Sequence, residues 1–136
     1  MADVRLLWTG DRLQFEGRAY YGEPFGIGGD ADGPGAKPSD LVPLSLAACT
    51  AYDVVVILQK QRQVLEGLEV TVRSEQDPEP PWTFRAMHML FVLRGRIDPR
   101  KAERAVELAE TKYCAVAATL RQVVDITHEI RIVSAE

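Results

Sequence analysis

The longest apolar run in the chain extends from Leu41 to Leu58, and only four of its residues are not apolar: Pro43, Ser45, Thr50 and Asp53. A segment this apolar on every side predicts a helix buried all round or a membrane span, not an amphipathic surface helix. The run is short for a bilayer, which needs roughly 20 apolar residues, and the Asp53 charge is costly in lipid. We therefore expect no membrane insertion, and a helix covered by the protein's own sheets or by a second subunit.

The segments around this run contain helix signals. Ser39 or Asp40 can cap the helix, Pro43 falls within about its first turn, and Gly67 is a plausible stop. Cys49, one of only two cysteines, lies in the middle of the predicted helix.

The N-terminal part of the chain has the pattern of short strands. Residues 4–8 and 13–15 are predicted strands around a turn at 9–12, and 18–27 is a third strand broken by Gly22 and Pro24. The glycines and prolines of 26–38 predict a flexible loop. A phosphate-binding loop is not predicted, since neither the Walker pattern nor the GxGxxG pattern is present.

The C-terminal part alternates between strand and helix patterns. Strands are predicted over 68–72, over 82–94 with both faces covered near 89–93 and a break at Gly95, and over 124–132. Asp98-Pro99 predicts a helix start, and 111–122 a further helix with Cys114 near its beginning. The order βββ–α–ββ–αα–β indicates an α+β domain over residues 1–136. Such apolar helices need more cover than this chain supplies, which suggests an obligate dimer with a shared core.

Composition narrows the class of protein. The 136 residues are 46% hydrophobic and 26% charged, as in an ordinary globular chain. A net charge of −4 and a pI near 5.2 argue against nucleic acid as the main partner. The N-terminus lacks a secretory pattern, so we expect a cytoplasmic protein without a structural disulfide.

The two cysteines are the candidate chemical groups. Both lie among small residues that would let helices approach closely, although the residue types alone favour ordinary core cysteines. Asp53 shares a helix face with Cys49, and a carboxylate there would raise a thiol pKa, so a reactive Cys49 would need a nearby cation. The cations considered are these: Arg12, Arg18, Lys60, Arg62 and Lys112.

The histidines and cysteines do not predict a metal site. No zinc-like or CxxC spacing is present. His88 and His128 fall on predicted strands, where hydrogen-bonded core or rim histidines are more common than ligands.

Two motifs resemble a known family. PSDLVPLSLAACTAYDVVVILQKQRQ and AETKYCAVAATLRQVVDITHEI are similar to segments of the osmotically inducible protein C / organic hydroperoxide resistance (OsmC/Ohr) family, most closely its short branch with the second site EKYCSV. The resemblance covers nearly the whole chain. It implies an intertwined homodimer in which two antiparallel sheets wrap around central Cys-bearing helices, with an active site at each subunit boundary.

The resemblance also implies an activity. Cys49 would attack the O–O bond of an organic hydroperoxide, and Cys114 would resolve the resulting sulfenic acid as a disulfide. A dithiol, lipoyl-linked in the Ohr branch, would reduce that disulfide, with no metal or flavin. Asp40 stands where the short branch has Glu, one position later than the Ohr glutamate, and Arg12 or Arg18 would be its partner.

A second function remains open. The same chain could be a non-enzymatic dimeric module that binds a small apolar ligand at the subunit interface. Its cysteines would then be vestigial or redox-sensing.

Overall fold

The computed structural model describes residues 3–134; the ends of the predicted domain, residues 1–2 and 135–136, lie outside the described part. The chain forms two compact units, one ending at Val42 and the other starting at Pro43. The elements follow the predicted order of three strands, a long helix, two strands, two helices and a strand. The predicted α+β class is therefore confirmed.

The first unit contains an antiparallel sheet of three short strands: β1 (Arg5–Trp8), β2 (Gln14–Arg18) and β3 (Phe25–Gly28). The turn between β1 and β2 forms where predicted, because the Thr9 hydroxyl donates to the Gln14 carbonyl at 2.9 Å. The third strand is shorter than predicted. Arg18 still belongs to β2, and Gly22 has φ +99° in the connection.

The glycine-rich segment after β3 is a loop, as predicted, and hydrogen bonds hold it. Gly28 N–H donates to the Ala36 carbonyl at 2.9 Å, so the loop folds back along β3. The Asp30 carboxylate accepts from the Gln14 side chain at 3.2 Å and from Leu13 N–H at 3.1 Å. These two bonds, with a smaller contribution from the Arg12 charge, lower the pKa of Asp30.

The central helix, α1 (Leu41–Lys60), follows directly on a 3₁₀ turn, Pro38–Asp40. Ser39 and Asp40, the predicted capping residues, lie in this turn directly before α1, and the N-cap of the turn itself is Lys37, without a side-chain bond. The predicted stop at Gly67 is wrong. Arg62 adopts φ +58°, and Gln63 N–H donates to the Leu58 carbonyl at 3.0 Å, which closes the helix without a glycine.

The second unit is built on a sheet of three longer strands, β4 (Val64–Gln76), β5 (Phe84–Arg96) and β6 (Asp125–Val133), in that order. β4 and β5 are antiparallel, whereas β5 and β6 are parallel. This sheet is therefore mixed, and β6 departs from the prediction of two antiparallel sheets. The helical connection between β5 and β6 is long enough to carry the chain back to the start of the sheet, which permits a parallel pair.

Gly95 lies within β5 and does not end it, contrary to the prediction. It pairs with Leu65 beside a register shift between Leu65 and Gly67. Its φ is +143°, and a Cβ there would collide with the Val64 carbonyl oxygen. The glycine therefore allows the strand to continue past the bulge in β4.

One face of β5 is the centre of the core, where Met87, Met89, Phe91 and Leu93 are fully buried. The intervening residues on its other face, Leu90 and Val92, are half-buried. The predicted cover on both faces is thus incomplete within one chain.

The helix α1 packs one stripe of side chains against this core. Leu46, Thr50, Val54 and Leu58, four residues apart, are fully buried. The Thr50 hydroxyl donates to the Leu46 carbonyl at 2.8 Å and lies 3.7 Å from Met89 Sδ. On the other side, Leu44 and Tyr52 are 58% and 70% exposed. The sequence predicts a helix that is buried on every side, but within one chain only one stripe of α1 is buried.

The connection between β5 and β6 contains α2 (Pro99–Leu108), a π-helical turn (Ala109–Tyr113) and α3 (Ala115–Leu120). The predicted start of α2 is confirmed, because the Asp98 side chain accepts from Arg100 N–H at 2.9 Å. The predicted helix over 111–122 starts later. Cys114 has ψ 110° and interrupts it, so this cysteine is the N-cap of α3.

Candidate redox site

The two cysteines come from two different elements of the second unit. Cys49 lies in the third turn of α1 and is half-buried, while Cys114 is 2% exposed between the π-helical turn and α3. The Cys114 sulfur accepts from Ala117 N–H at 3.3 Å, as an N-cap acceptor does. Both cysteines are free thiols, and the more accessible one is Cys49.

The two thiols interact with each other. Burial raises the pKa of Cys114 to about 11, helped by a hydrogen bond with the Cys49 side chain and by the Cys49 charge. The N–H groups of Ala117 and Val116 act in the opposite direction and lower that pKa. A raised pKa keeps Cys114 protonated at neutral pH, so that its S–H can donate to the Cys49 sulfur.

The same helix, α1, lines a groove with a volume of about 330 Å³. Asp53, one helical turn from Cys49, lines it, and so does Tyr113, the neighbour of Cys114. The other lining residues are these: Val56, Ile57, Lys60, Gln61 and Leu108. The Gln61 Oε1 atom is buried and has no hydrogen-bond partner among the described residues.

Lys112, which the sequence suggested as a cation close to Cys114, lies over an aromatic ring. Its ammonium group is 5.4 Å from the centre of the Tyr113 ring, in a cation–π arrangement. The Lys112 charge is also not among the causes of the raised pKa of Cys114.

The remaining predicted residues lie in the first unit. Arg12 pairs with Asp30 at 3.5 Å, and Arg18 pairs with Glu16 at 2.7 Å. Asp40 is exposed on the 3₁₀ turn before α1. Among residues 3–134, neither guanidinium pairs with Asp40, so the predicted Arg–Asp pair is not formed in the single chain.

A charged cluster that sequence reasoning missed surrounds His128, and we call it the His128 cluster (His128, Glu110 and Glu103). His128 Nδ1 lies 3.0 Å from Glu110 Oε1, and Nε2 lies 3.1 Å from Glu103 Oε1. The hydrogen bond with Glu110 is the main cause that raises the pKa of His128 to about 9, and burial opposes it. The alternation of β6 correctly predicted that His128 shares a face with isoleucines. The only sequence signal for its partner was a single carboxylate, Glu110, beside a segment of small residues.

The histidines have hydrogen-bonding roles. His88 Nδ1 is 2.7 Å from the Thr127 hydroxyl, and both side chains lie on the sheet face opposite to that of His128. Within the described range, 3–134, the structure contains no group of three or more His, Cys, Asp or Glu residues able to hold a metal ion.

The protein-family comparison matches residues 29–129 to the family described as OsmC-like protein. The chain is also 35% identical over 133 residues to Protein YhfA of Escherichia coli K12, covering 97% of this chain and 98% of YhfA. The chain therefore belongs to the OsmC-like family, which confirms the resemblance seen in its two cysteine motifs.

Solved structures show the same fold. A hypothetical protein from Aquifex aeolicus VF5 superposes with a TM-score of 0.89 at 22% identity, covering 100% of this chain and 98% of that one. The organic hydroperoxide resistance protein OhrB of Bacillus subtilis superposes with a TM-score of 0.61 at 22% identity, covering 96% and 98%. At these identities the likeness is one of fold.

The apolar segment Pro38–Lys60 lies within the matched region, residues 29–129. Its length and mean hydropathy of 2.0 would suffice to cross a membrane, and 28% of the window is buried within one chain. Within the described chain, one stripe of this helix packs against the core of the second unit.

Proposed function

We propose that this protein is a cytoplasmic thiol peroxidase that reduces organic hydroperoxides through Cys49 and Cys114. The observation that carries the proposal is the interaction between the two thiols, which helps to raise the pKa of the more buried one to about 11. The more accessible partner, Cys49, is then the nucleophile, and Cys114 remains a protonated thiol until Cys49 has been oxidised. Family membership agrees with a redox role.

The proposed reaction balances in two steps. The Cys49 thiolate attacks one peroxide oxygen, the O–O bond breaks, and the alkoxide takes a proton and leaves as the alcohol, with Cys49 oxidised to sulfenic acid. Cys114 then attacks the Cys49 sulfur, and water leaves as the disulfide forms. A dithiol of the lipoyl class exchanges with this disulfide and restores both thiols.

The proposal gives Asp40 and an arginine a supporting role at the thiolate. Arg12 and Arg18 already pair with Asp30 and Glu16. The Arg18–Glu16 pair is exposed and costs little to break, whereas the Asp30 side chain is only 17% exposed. The Arg18 guanidinium can therefore exchange partners more easily than that of Arg12. The two variants Arg12→Gln and Arg18→Gln identify the arginine that supports the thiolate. Only the variant that loses this arginine should lower the reactivity of Cys49.

We also propose a homodimer. Leu44 and Tyr52 of α1 are mostly exposed within one chain, and all four residues of β1 are exposed, including Leu6 and Trp8. Apolar surfaces of this kind are covered in stable proteins, and a second copy supplies a matching surface. Light scattering after size-exclusion chromatography should give twice the monomer mass of 15.1 kDa; a monomer would contradict this part.

The reaction is tested by adding one equivalent of cumene hydroperoxide to the reduced protein. We expect intact mass to fall by two hydrogens and peptide mapping to find a Cys49–Cys114 crosslink. Cys114→Ser should still consume one equivalent and leave a sulfenic acid on Cys49 that dimedone traps. Cys49→Ser should consume none, and peroxide consumption by this variant at the wild-type rate would overturn the proposal.

A binding module is the second candidate, and the groove is the observation that favours it. Five of its seven lining residues lie along α1 and its end, from Asp53 to Gln61, and apolar groups predominate. Binding of the apolar fluorophore 1-anilinonaphthalene-8-sulfonate, with unchanged affinity in Cys49→Ser and no disulfide formed by peroxide, would favour this function over catalysis.

A further inference from the structure

Cys114 lies at the end of an irregular, π-helical turn. We call residues Ala109–Cys114 the Cys114 turn. Its π-helical hydrogen bond, from Cys114 N–H to the Ala109 carbonyl, measures 2.8 Å. Such a wide turn is uncommon and is frequently found at functional sites. The position of the Cys114 sulfur depends on the contacts that hold this turn, since Cys114 follows it directly.

The side chain of Glu110 connects the turn to the sheet. Glu110 is 8% exposed, and its two carboxylate oxygens lie 3.0 and 3.1 Å from His128 Nδ1 on β6. The other ring nitrogen of His128 contacts Glu103 of α2. Carboxylates only accept, so both ring nitrogens donate and the ring is an imidazolium. The Glu110–His128 bond is therefore charge-assisted and stronger than a neutral one.

The backbone of Glu110 is held from the other side. Arg121, the residue after α3, donates from Nη2 to the Glu110 carbonyl at 2.8 Å and from Nε to the Ala117 carbonyl at 3.4 Å. The carbonyl that the π-helical turn leaves unpaired thus has a partner. The Cys114 turn is fixed to β6 by a side chain and to α3 by a backbone group.

We propose that Glu110 is a positioning residue, whose ion pair with His128 holds the Cys114 turn so that the Cys114 thiol meets Cys49. The inference rests on the proposed function, in which the two thiols form a disulfide. Holding the turn raises the effective concentration of one thiol at the other, as orientation does in any intramolecular reaction. Neither Glu110 nor His128 contacts the reacting sulfurs in this role.

The arrangement makes disulfide formation dependent on pH. Among the described residues, those that face His128 are Glu110 from the turn, Glu103 from α2, and Phe91 from β5, whose ring lies edge-on at 6.4 Å between ring centroids. The two carboxylates raise the pKa of His128 to about 9, so the ring is charged at neutral pH. Above that value the ring becomes neutral, and the hold on the turn weakens.

The test compares wild type with Glu110→Gln and His128→Gln in the full-length protein. Glu103→Gln is the matched control, because it removes a charge from the same histidine without contacting the turn. The readout is the equilibrium between the dithiol and the Cys49–Cys114 disulfide in buffers of reduced and oxidised glutathione, which needs no peroxide. The rate of disulfide formation with cumene hydroperoxide is measured in parallel.

We expect the equilibrium constant for the disulfide at neutral pH to fall about tenfold in Glu110→Gln and His128→Gln, the lower end of the cost of losing a charge-assisted hydrogen bond. Glu103→Gln should change it by about twofold or less, because its side chain is 59% exposed. The ratio between wild type and Glu110→Gln should approach one as the pH passes about 9, the pKa of His128. The titration of the two thiols affects wild type and Glu110→Gln alike, and it therefore cancels in this ratio.

A merely structural role gives a different result. It would lower the free energy of unfolding equally in the dithiol and disulfide forms, and the exchange constant with glutathione would not move. An unchanged constant in Glu110→Gln and His128→Gln therefore overturns the proposal. If those variants do not fold, Arg121→Gln, which loosens the other side of the turn, decides by the same criterion. A wild type that exchanges with glutathione but does not react with peroxide would refute the peroxidase and leave this inference intact.

Discussion

The raised pKa of Cys114 predicts which thiol reacts first with an alkylating reagent. Its pKa of about 11 lies about two units above the ordinary value of 9.0. Each unit changes the thiolate fraction tenfold below both values, so at about pH 7.5 the Cys114 thiolate is about a hundredfold scarcer than that of an ordinary cysteine. Burial at 2% exposure slows the reagent further. Iodoacetamide should therefore modify Cys49 first and Cys114 at least about a hundredfold more slowly than a free thiol.

The assay is timed alkylation of the reduced protein, followed by acid quench and peptide mass spectrometry. The rate at Cys114 should keep rising about tenfold per pH unit beyond pH 9, where an ordinary thiol levels off. Cys49→Ala removes the second-largest cause of the raised pKa and leaves burial, so its Cys114 should react faster, by about tenfold or less. Faster labelling of Cys114 than of Cys49 in wild type, or a plateau near pH 9, would refute the assignment of the two roles.

Three further predictions concern stability, measured by urea unfolding at fixed protein concentration. The pKa of His128 rises from 6.5 to about 9 on folding, so its contribution is complete below pH 6.5 and is lost as the pH rises through 9. The unfolding free energy should fall by about 3 kcal/mol over that window, and an equal fall in His128→Gln would contradict this cause. Gly95→Ala should destabilise by about 2 kcal/mol or more, because its Cβ meets the Val64 carbonyl. Gly10→Ala, also at positive φ but in open space, should cost less; equal losses would exclude the collision as the cause. Asp98→Ala should lower stability by about 1 kcal/mol through the lost N-cap, and an unchanged urea midpoint would show that the cap contributes nothing.

The sequence predicted most elements because their signals are local. The alternation of β6 and the Asp98-Pro99 helix start each depend on a few neighbouring residues, and both are confirmed. The errors fall where a non-local contact decides. The local pattern predicts element ends at Gly67 and Gly95, but the first lies in β4 and the second continues β5 beside a bulge, since strand pairing overrides the local preference of glycine.

The same distinction applies to the candidate site. Small residues around Cys49 and Cys114 indicated only that two helices could approach, and residue types alone favoured ordinary core cysteines. Lys112 is only two residues from Cys114 along the chain, yet the Lys112 ammonium lies over the Tyr113 ring. The direction of a side chain depends on the turn that carries it. No sequence pattern connects Glu110 with its partners, since it pairs with His128, 18 positions away, and its carbonyl accepts from Arg121, 11 positions away.

By itself, the sequence determined the class of fold, the order of its elements and the two motifs that mark the OsmC-like family. The fold class and the order of elements follow from hydrophobic periodicity and capping, which act within a few residues along the chain. The family follows from the resemblance of the two motifs. Only the tertiary structure decided that the Cys114 thiol interacts with Cys49, and that His128 is charged between two glutamates. A pKa depends on burial and on groups brought close by folding, and no spacing along the chain encodes those distances.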